Sequence, residues 1–405
     1  MPWRRTTRSA SGAAAFSSTT SMPRSRPGGP RARPPPACGR GRPVDEAPAR
    51  ASAGGDEPRL LSARAPARPR EAGLTAGRTT LMLSREDVAR LVTIEECIRV
   101  VEDAFRREAE GTTLPAAVLS VPAAGGGFHV KAAGLKGRPG WFAAKVNANF
   151  PSNPARHRRP TIQGLVVLCE TELGYPLAVM DSTEITALRT AAASAVAARH
   201  LCRPDAEVLA VIGCGRQGLR HVRALAHVRP SLRRVLAVDS DHRRLDAFTA
   251  DVQRSGLAVE IVPEAGLAAR RADAVVTCTP SPRPLLGPGD LAPGAFLAAV
   301  GADSPGKQEV DPVLMASARV VVDVLAQCAV MGDLHHAIAA GGMREGDVHA
   351  ELADVVAGRR AGRRSPDEVF IFDSTGTALE DVAAAVLAYE KAMAAGAGVR
   401  IDLVG

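Results

Sequence analysis

Residues 211–225 read VIGCGRQGLRHVRAL, and this stretch decides the fold of the chain around it. Gly213, Gly215 and Gly218 form a GxGxxG turn between an apolar run and a helical pattern, which is the context in which such a turn binds a dinucleotide. The first glycine permits a tight turn, the second lets a pyrophosphate approach the backbone, and the third lets helix and strand pack closely. A purely structural turn is the alternative reading. We predict a dinucleotide site here.

The next apolar run, RRVLAVDS, ends at Asp239, which lies 21 residues after Gly218. An acid at this place accepts hydrogen bonds from a ribose 2′-hydroxyl and repels a 2′-phosphate, so the sequence favours NAD over NADP as the cofactor. Three further cofactor contacts are predicted, at Arg216, Gln217 and Thr279.

The chain changes its pattern near Ala206. Downstream, short continuous apolar runs alternate with helical stretches, which predicts an α/β fold with a doubly wound parallel sheet of the Rossmann type. Upstream, a helical pattern at 84–111 is followed by short apolar segments that predict an antiparallel sheet, and then by an Ala-rich helix with Ser182 as its cap. The predicted divisions are an α+β domain at 82–202, the Rossmann domain at 203–375, and a C-terminal helix at 376–405 that packs back onto the first domain.

The first 81 residues concentrate the positive charge of the chain. They carry a net charge of +10, so the remainder carries −2 although the total is +8. Their Pro-, Gly-, Ser- and Arg-rich composition predicts a disordered tail, with a transit peptide or a translation start at Met82 as alternatives. The slightly acidic body argues against nucleic-acid binding. No stretch is apolar enough to predict a membrane span, and we expect a cytoplasmic protein.

Cysteine and histidine give no sign of a metal site. The seven cysteines are scattered without a CxxC pair, which predicts free thiols rather than a disulfide framework or a zinc site. No metal is expected.

Lysine is scarce, with five in the whole chain, so each position is informative. Lys131 and Lys145 lie inside strand-like apolar patterns, where an unpaired ammonium would be costly, and Arg189 lies in the Ala-rich helix. We predict that both lysines face a pocket that contains an anion. The alternative is that they reach solvent from the edges of the sheet.

One acid stands at the mouth of a buried strand. The apolar run AFLAAVGA stops at Asp303, and the Ser-Pro-Gly that follows cannot extend a strand. Ligands of parallel α/β sheets bind beyond the carboxyl ends of the strands, so Asp303 is a candidate proton acceptor. A cap of the following turn is the alternative role.

Several segments together resemble one known family. They are KVNANFP, PTIQG, ITALRTAAASAVAARHL, the GCGRQG turn, VGADSPGKQE and VFIFDSTGTALEDV, which span roughly residues 83–400. The chain resembles the ornithine cyclodeaminase, mu-crystallin and archaeal alanine dehydrogenase family. The resemblance implies a homodimer whose N-terminal sheets join across the two-fold axis, so that 82–202 is a substrate-binding and dimerisation domain, with the active site in the cleft between domains.

The resemblance also implies roles for individual residues. Lys145 matches the lysine that holds the substrate carboxylate, and Asp303 matches the acid–base aspartate. Thr161 and Arg189 match cofactor and substrate contacts, and Asp239 matches the ribose acid. We place Lys131 with Lys145 and Asp303 among the catalytic candidates.

The implied reaction is the NAD-dependent cyclisation of a small α-amino acid. In the cyclodeaminase reaction, hydride passes from ornithine to NAD⁺, the δ-amine closes a ring on the imine, ammonia leaves, and the hydride returns to give proline. Two departures raise alternatives: where cyclodeaminases carry an arginine and a glutamate, this chain has Ala116 or Ala117 and Lys131, and a lysine repels a cationic side chain. The alternatives are an amino-acid dehydrogenase or cyclic ketimine (pyrroline-2-carboxylate) reductase, and a non-catalytic mu-crystallin-like binding protein.

Overall fold

The computed structural model describes residues 79–403, which form two large β-sheets with helices packed on them. Most of the tail predicted at 1–81 lies outside the described residues. The first strand nevertheless begins at Thr80, two residues inside that segment. Thr80 and Leu81 are buried, and the strand pairs on both sides with other strands.

The first sheet has seven strands, and its meander carries the two predicted site lysines, Lys131 and Lys145. Its strands are β1 (Thr80–Leu83), β2 (Thr113–Ala123), β3 (Gly126–Leu135), β4 (Trp141–Asn149), β5 (Ile162–Glu170), β6 (Pro176–Asp181) and, from the other end of the chain, β17 (Val399–Ile401). The order is β17-β1-β6-β5-β4-β3-β2, and all neighbours are antiparallel except β1 and β6.

The second sheet has eight parallel strands in the order β15-β14-β16-β12-β10-β7-β8-β9. These strands are β7 (Val208–Ile212), β8 (Arg234–Val238), β9 (Ala258–Ile261), β10 (Ala274–Thr277), β12 (Phe296–Ala299), β14 (Arg319–Val322), β15 (Ala350–Glu351) and β16 (Phe370–Asp373). Every residue of β10, β12 and β16 is buried, as expected for strands covered on both faces. β11 (Pro282–Leu286) and β13 (Gln308–Val310) form a separate parallel pair.

Twelve α-helices lie within residues 79–403. They are α1 (Arg85–Leu91), α2 (Ile94–Ala109), α3 (Asn153–His157), α4 (Ser182–Leu201), α5 (Arg216–Val228), α6 (His242–Gln253), α7 (Ala265–Arg270), α8 (Pro312–Ser317), α9 (Leu325–Cys328), α10 (Asp333–Ala339), α11 (Leu352–Val356) and α12 (Ala378–Ala395).

Helix α4 is buried along nearly its whole length and packs against both sheets. Its small alanine side chains let neighbouring elements approach from every direction, which explains why its pattern is apolar all round. Ser182 is its first residue rather than its cap. The cap is Asp181, whose carboxylate accepts the N–H groups of Thr183 and Glu184.

Helix α12 packs against β3, β4 and β5 of the first sheet and against α2 and α4. It starts at a capping box, in which Thr377 and Glu380 each bond the other's backbone N–H. The helix therefore fixes the charged residues of its first turn against the sheet that carries Lys131 and Lys145.

The predicted α/β fold with a Rossmann-type parallel sheet is confirmed. Each of the seven apolar runs after Ala206 contains a strand; these runs are AEVLAVIG, RRVLAVDS, AVEIVP, ADAVVTCT, AFLAAVGA, ARVVVDV and EVFIFDS. β1, β11, β13, β15 and β17 are additions to the predicted pattern. The domain boundaries at 202 and 375 stay predictions. The six cysteines within residues 79–403 are free thiols. In the same range, no group of three or more His, Cys, Asp or Glu side chains is arranged to hold a metal ion. None of the described helices combines the length and the apolar character that a membrane span needs.

Candidate functional site

The predicted site residues of the second sheet share one edge of it. Gly213 directly follows β7, Asp239 follows β8, Thr279 comes two residues after β10, and Asp303 comes four residues after β12. These four strands run parallel, so their carboxyl ends meet at the same edge. Open parallel sheets bind ligands at this edge.

The glycine turn between β7 and α5 has the geometry that an anion needs. Gly213 has a φ of +105°, which favours glycine, and a Cβ there would lie 2.9 Å from the carbonyl oxygen of Cys278. A Cβ at Gly218 would overlap the carbonyl oxygen of Gly213, whereas the space around Gly215 is open to 4 Å. Open space at the N-terminus of a 13-residue helix can receive a pyrophosphate.

Asp239 is held beside this turn by two backbone amides. Its Oδ2 accepts the N–H of Cys214 at 2.8 Å and its Oδ1 accepts the N–H of Asp241 at 2.9 Å. On the other side of the turn, the Cγ2 of Thr279 lies 3.1 Å from where a Cβ of Gly213 would be. The structure thus brings the acid, the turn and Thr279 together.

Arg216 contacts α4 directly, whereas Gln217 is connected to α4 only through His221. The side chain of Arg216 lies 3.4 Å from the Glu184 carboxylate and is turned toward α4. The carbonyl oxygen of Gln217 accepts the Nδ1–H of His221 at 2.8 Å, and the His221 Nε2 lies 3.0 Å from the Ser194 hydroxyl. Burial lowers the pKa of His221 to about 4, so this histidine is a neutral structural link.

A buried ion-pair network joins the first sheet, α4 and α12. The Lys145 Nζ lies 2.6 Å from Asp381 Oδ2, the Arg189 Nε donates to Asp381 Oδ1 at 2.9 Å, and the Arg189 Nη1 donates to Glu380 Oε2 at 3.0 Å. All four side chains are at most 6% exposed. We call these four residues with Lys131 the charged cluster.

Lys131 lies directly opposite Lys145 in the β3–β4 pair, so both side chains are on the same face of the sheet. Its Nζ donates to the carbonyl oxygens of Thr375 at 3.0 Å and Gly376 at 2.7 Å, in the turn after β16. Gly376 has a φ of +75°, and a Cβ there would overlap the Arg189 guanidinium. The turn therefore requires glycine to accommodate the cluster.

The pKa values of the cluster follow from its burial and its shared carboxylate. Burial and the neighbouring Arg189 charge lower the pKa of Lys145 to about 7, although Asp381 partly offsets them. Burial would raise the pKa of Asp381, but Lys145 and Arg189 together hold it below its ordinary value. Asp381 is thus ionised at neutral pH, and Arg189 balances its charge even when Lys145 loses a proton.

Asp303 is not the lone carboxylate that the sequence suggested, because its Oδ1 accepts the Lys307 Nζ at 2.6 Å. Desolvation by the surrounding atoms would raise the pKa of Asp303, but Lys307, Lys131 and His129 outweigh this effect and lower it. The side chain is 45% exposed. Asp303 is therefore an accessible, ionised carboxylate, and its role as proton acceptor stays a prediction.

Thr161 lies apart from these contacts, immediately before β5, where its carbonyl oxygen accepts the N–H of Phe150 at 2.8 Å. It stays a predicted cofactor contact.

Sequence reasoning missed four acids and bases of the site: His129, Glu309, Glu380 and Asp381. Glu309 is buried and accepts the N–H groups of Thr279 and Gly301, and burial with the nearby Asp333 charge raises its pKa to about 7. The acids at the start of α12 carried a signal, since acidic residues after a Thr cap mark a helix start, but that signal does not reveal their partners.

Comparisons with known proteins find relatives that match most of the chain. The family model described as "Ornithine cyclodeaminase/mu-crystallin family" matches residues 78–396. The alanine dehydrogenase of Archaeoglobus fulgidus is 37% identical over 324 residues, which cover 80% of this chain and 98% of that protein.

Two solved structures are similar over nearly their whole length. An archaeal alanine dehydrogenase dimer with bound NAD has a TM-score of 0.76 and 36% identity, covering 80% of this chain and 99% of that one. The Δ(1)-pyrroline-2-carboxylate reductase of Thermococcus litoralis, in complex with NADH and L-proline, has a TM-score of 0.76 and 30% identity, covering 80% of this chain and 100% of that one.

Proposed function

Because the chain belongs to the ornithine cyclodeaminase/mu-crystallin family, we propose that it is an NAD-dependent enzyme that moves a hydride between the cofactor and the α-carbon of a small amino or imino acid. One observation carries the proposal. Asp303 follows β12 on the same carboxyl edge as the glycine turn after β7, and Lys131 links it electrostatically to the charged cluster.

The residues of the turn fit NAD. The open space at Gly215 suits the pyrophosphate, and the Asp239 carboxylate beside it suits an unphosphorylated ribose. Relatives whose structures were solved with NAD or NADH support this choice. NAD, when bound, supplies the carbon that accepts or returns the hydride.

Residues of the chain itself accept the proton of the substrate amine and bind the substrate carboxylate. Hydride can leave the α-carbon only after the α-ammonium has lost a proton, and the ionised Asp303 can accept that proton within hydrogen-bond reach. In the reverse direction the hydride first reaches the α-carbon of the iminium, and the same carboxylic acid then returns the proton to the amine nitrogen. The cations of the charged cluster supply the positive charge that a substrate carboxylate needs in a buried setting.

Two reaction types remain: cyclodeamination of ornithine, and net reduction or oxidation by a dehydrogenase or ketimine reductase. Lys131 favours the second, because an ammonium beside the substrate repels the cationic side chain of ornithine. The similarity to an alanine dehydrogenase and to a pyrroline-2-carboxylate reductase also supports the second. A binding protein without catalysis is disfavoured by the presence of Asp303 and Lys145.

The test is an assay of the purified full chain with the nicotinamide absorbance followed over time. Pyruvate with ammonia and Δ(1)-pyrroline-2-carboxylate are tested with NADH, and alanine, proline and ornithine with NAD⁺. We expect net NADH consumption with an imine or a 2-oxo acid plus ammonia. Proline formed from ornithine without net NADH change would instead support cyclodeamination.

A matched pair of variants ties the activity to Asp303. Asp303→Asn should lower turnover by roughly 10²–10⁴-fold, because it removes the proton acceptor, while NADH affinity is unchanged. The control is Asp347→Asn, which changes an exposed acid that pairs with Arg344 and with no residue of the candidate site. This variant should keep the turnover of the wild type. More than about half of the wild-type turnover in Asp303→Asn would remove Asp303 from the mechanism.

We also propose that the chain works as a homodimer. One face of the first sheet carries large apolar side chains that are each at least 36% exposed: Leu119, Val121, Phe128, Phe142, Val146 and Leu165. An apolar surface of this kind on a folded chain indicates an association site. A second copy is the favoured occupant because the similar archaeal alanine dehydrogenase was solved as a dimer.

A further inference from the structure

Two loops at the carboxyl edge of the second sheet are joined by one side chain, that of Glu309. Its Oε1 accepts the N–H of Thr279 at 2.6 Å, and its Oε2 accepts the N–H of Gly301 at 2.7 Å. Thr279 belongs to the loop after β10, and Gly301 to the loop after β12 that carries Asp303. One carboxylate therefore connects a predicted cofactor contact with the segment of the predicted proton acceptor.

The two loops pack tightly against each other and against the glycine turn. A Cβ at Gly301 would overlap both the carbonyl oxygen of Thr279 and the Glu309 carboxylate, so this position accommodates only glycine. The Cγ2 of Thr279 in turn lies 3.1 Å from where a Cβ of Gly213 would be. A displacement of the loop after β10 would therefore change the surroundings of the turn that is predicted to bind the cofactor.

The backbone on either side of Glu309 is fixed by helix α10. Asp333, the first residue of this helix, accepts the N–H of Glu309 at 2.7 Å and that of Val310 at 2.9 Å, both through Oδ1. The Oδ2 of Asp333 is buried and has no hydrogen-bond partner among residues 79–403. Both acids are 0% exposed. A change at the Glu309 carboxylate therefore acts on the two loops, while β13 stays anchored to α10.

The titratable groups around Glu309 come from α10, from the loop after β10 and from its own segment. Asp333 shares its negative charge, and the Cys278 thiol lies close enough for Glu309 to raise the pKa of that thiol. His336 on α10 lowers the pKa of Asp333, and its Nε2 lies 2.8 Å from the carbonyl oxygen of Lys307. The hydrogen-bond partners of the Glu309 carboxylate are neutral backbone amides.

This environment makes the protonation of Glu309 respond to pH near neutrality. Burial and the Asp333 charge raise its pKa to about 7. The Lys307 ammonium, two residues earlier, is bonded to Asp303 at 2.6 Å. A protonated carboxyl group has one hydroxyl oxygen, which is a donor and a poorer acceptor than a carboxylate oxygen. Proton uptake by Glu309 therefore weakens its bond to one of the two loops.

We infer that Glu309 is a positioning residue for NAD and NADH: its ionised carboxylate holds the loops after β10 and β12 together, and its protonation loosens one of them and weakens cofactor binding. The inference deepens the proposed function and rests on it. Glu309 is fully buried, so it acts through the backbone of Thr279 and Gly301. Cofactor affinity should consequently fall as the pH decreases through the pKa of Glu309.

The experiment measures NADH affinity of the full chain by fluorescence titration, without substrate, between about pH 6 and pH 8.5. The wild type should bind NADH about tenfold more weakly at the lower pH, the size of one hydrogen bond to a charged group, with a midpoint near pH 7. Glu309→Gln imitates the protonated state, because its NH₂ group faces an N–H donor. This variant should bind NADH weakly at both pH values, with a nearly flat pH dependence.

Asp333→Asn separates this role from a merely structural one. Asn keeps Oδ1 for the two backbone amides and replaces the unpartnered Oδ2, but it removes the charge that raises the pKa of Glu309. The midpoint of NADH affinity should therefore move to lower pH, while the affinity at high pH is kept. Because Asp333→Asn leaves the Glu309 carboxylate in place, this shift decides the question even if Glu309→Gln does not fold.

Glu345→Gln is the matched control. Glu345 is exposed in the short 3₁₀ helix Glu345–Asp347, so the same substitution should follow the wild-type curve. Wild-type affinity that is independent of pH, an unchanged pH dependence in Glu309→Gln, or an unmoved midpoint in Asp333→Asn would each overturn the inference. A chain that shows the Glu309-dependent affinity but converts no amino or imino acid would reject the proposed function alone, whereas conversion with wild-type NADH affinity in Glu309→Gln would reject the inference alone.

Discussion

At the scale of single residues, the environment of Asp303 decides how its chemistry depends on pH. The Lys307 ammonium, bonded to it at 2.6 Å, is the strongest influence that lowers its pKa. A proton acceptor must be ionised, so oxidation of an amino acid should slow as the pH falls through the pKa of Asp303. Because the pKa of Asp303 is lowered, this acid limb lies at lower pH than an unperturbed aspartate would give.

Lys307→Met should therefore move the acid limb of the oxidation rate to higher pH. The substitution removes a positive charge next to Asp303, so the pKa of the carboxyl rises, and more acid form is present at a given low pH. The measurement is kcat/KM against pH for the wild type and the variant. An acid limb at the same pH in both would mean that Asp303 does not set it.

We expect Asp239 to control the choice between NAD and NADP. Asp239→Ala should weaken NAD binding and narrow the preference for NAD over NADP, because the variant neither accepts ribose hydrogen bonds nor repels a 2′-phosphate. Fluorescence titration with NADH and NADPH measures both effects, and Asp246→Ala, an exposed acid within α6, is the control. Tighter binding of NADPH than NADH by the wild type would contradict the assignment.

At the scale of elements, the short first strand shows that amino-acid composition alone does not locate the start of the folded part. The Pro- and Arg-rich texture ends only near residue 79, and the TLML of β1 is too short to stand out beside it. Yet Leu81 is 1% exposed, and the Thr80 hydroxyl donates to the Pro176 carbonyl at 2.8 Å.

Two truncations test this boundary. Removal of residues 1–78 should leave the melting temperature nearly unchanged, since that composition offers little apolar surface to bury. Removal of residues 1–81 also deletes the buried Leu81, which contributes about 2 kcal/mol, and should lower the melting temperature measurably. Equal melting temperatures for the two truncated chains would show that β1 contributes nothing to stability.

The parts of the fold that the sequence predicted are those with local patterns. The glycine turn, the seven apolar strands and the Ala-rich helix each show their period or composition within a short window. β15 and β17 have two and three residues, too few for a period. The Lys145–Asp381 pair joins residues 236 positions apart, so only the packing of α12 on β4 brings it together.

At the scale of the whole molecule, the two sheets differ in how their faces are covered. The parallel sheet is covered by helices of the same chain, whereas the meander of the first sheet is covered by α12 on one face and leaves its other face apolar and exposed. Val146 and Phe128 on that face are each more than 40% exposed. A second copy pairing there would bury this face and brace the sheet that carries Lys131 and Lys145.

Val146→Lys should therefore convert a dimer to a monomer at micromolar concentration, because a charge placed in an apolar interface loses its hydration without gaining a partner. Val313→Lys is the matched control: Val313 is 63% exposed on α8, outside the first sheet, so the same substitution should leave the mass unchanged. Light scattering gives the masses, and the wild-type melting temperature should rise with protein concentration whereas that of Val146→Lys should not. A wild-type chain that is monomeric, or a Val146→Lys variant that stays dimeric, would place the association surface elsewhere. Loss of turnover together with the dimer would further indicate that the sheet needs its partner to hold the charged cluster in its active arrangement.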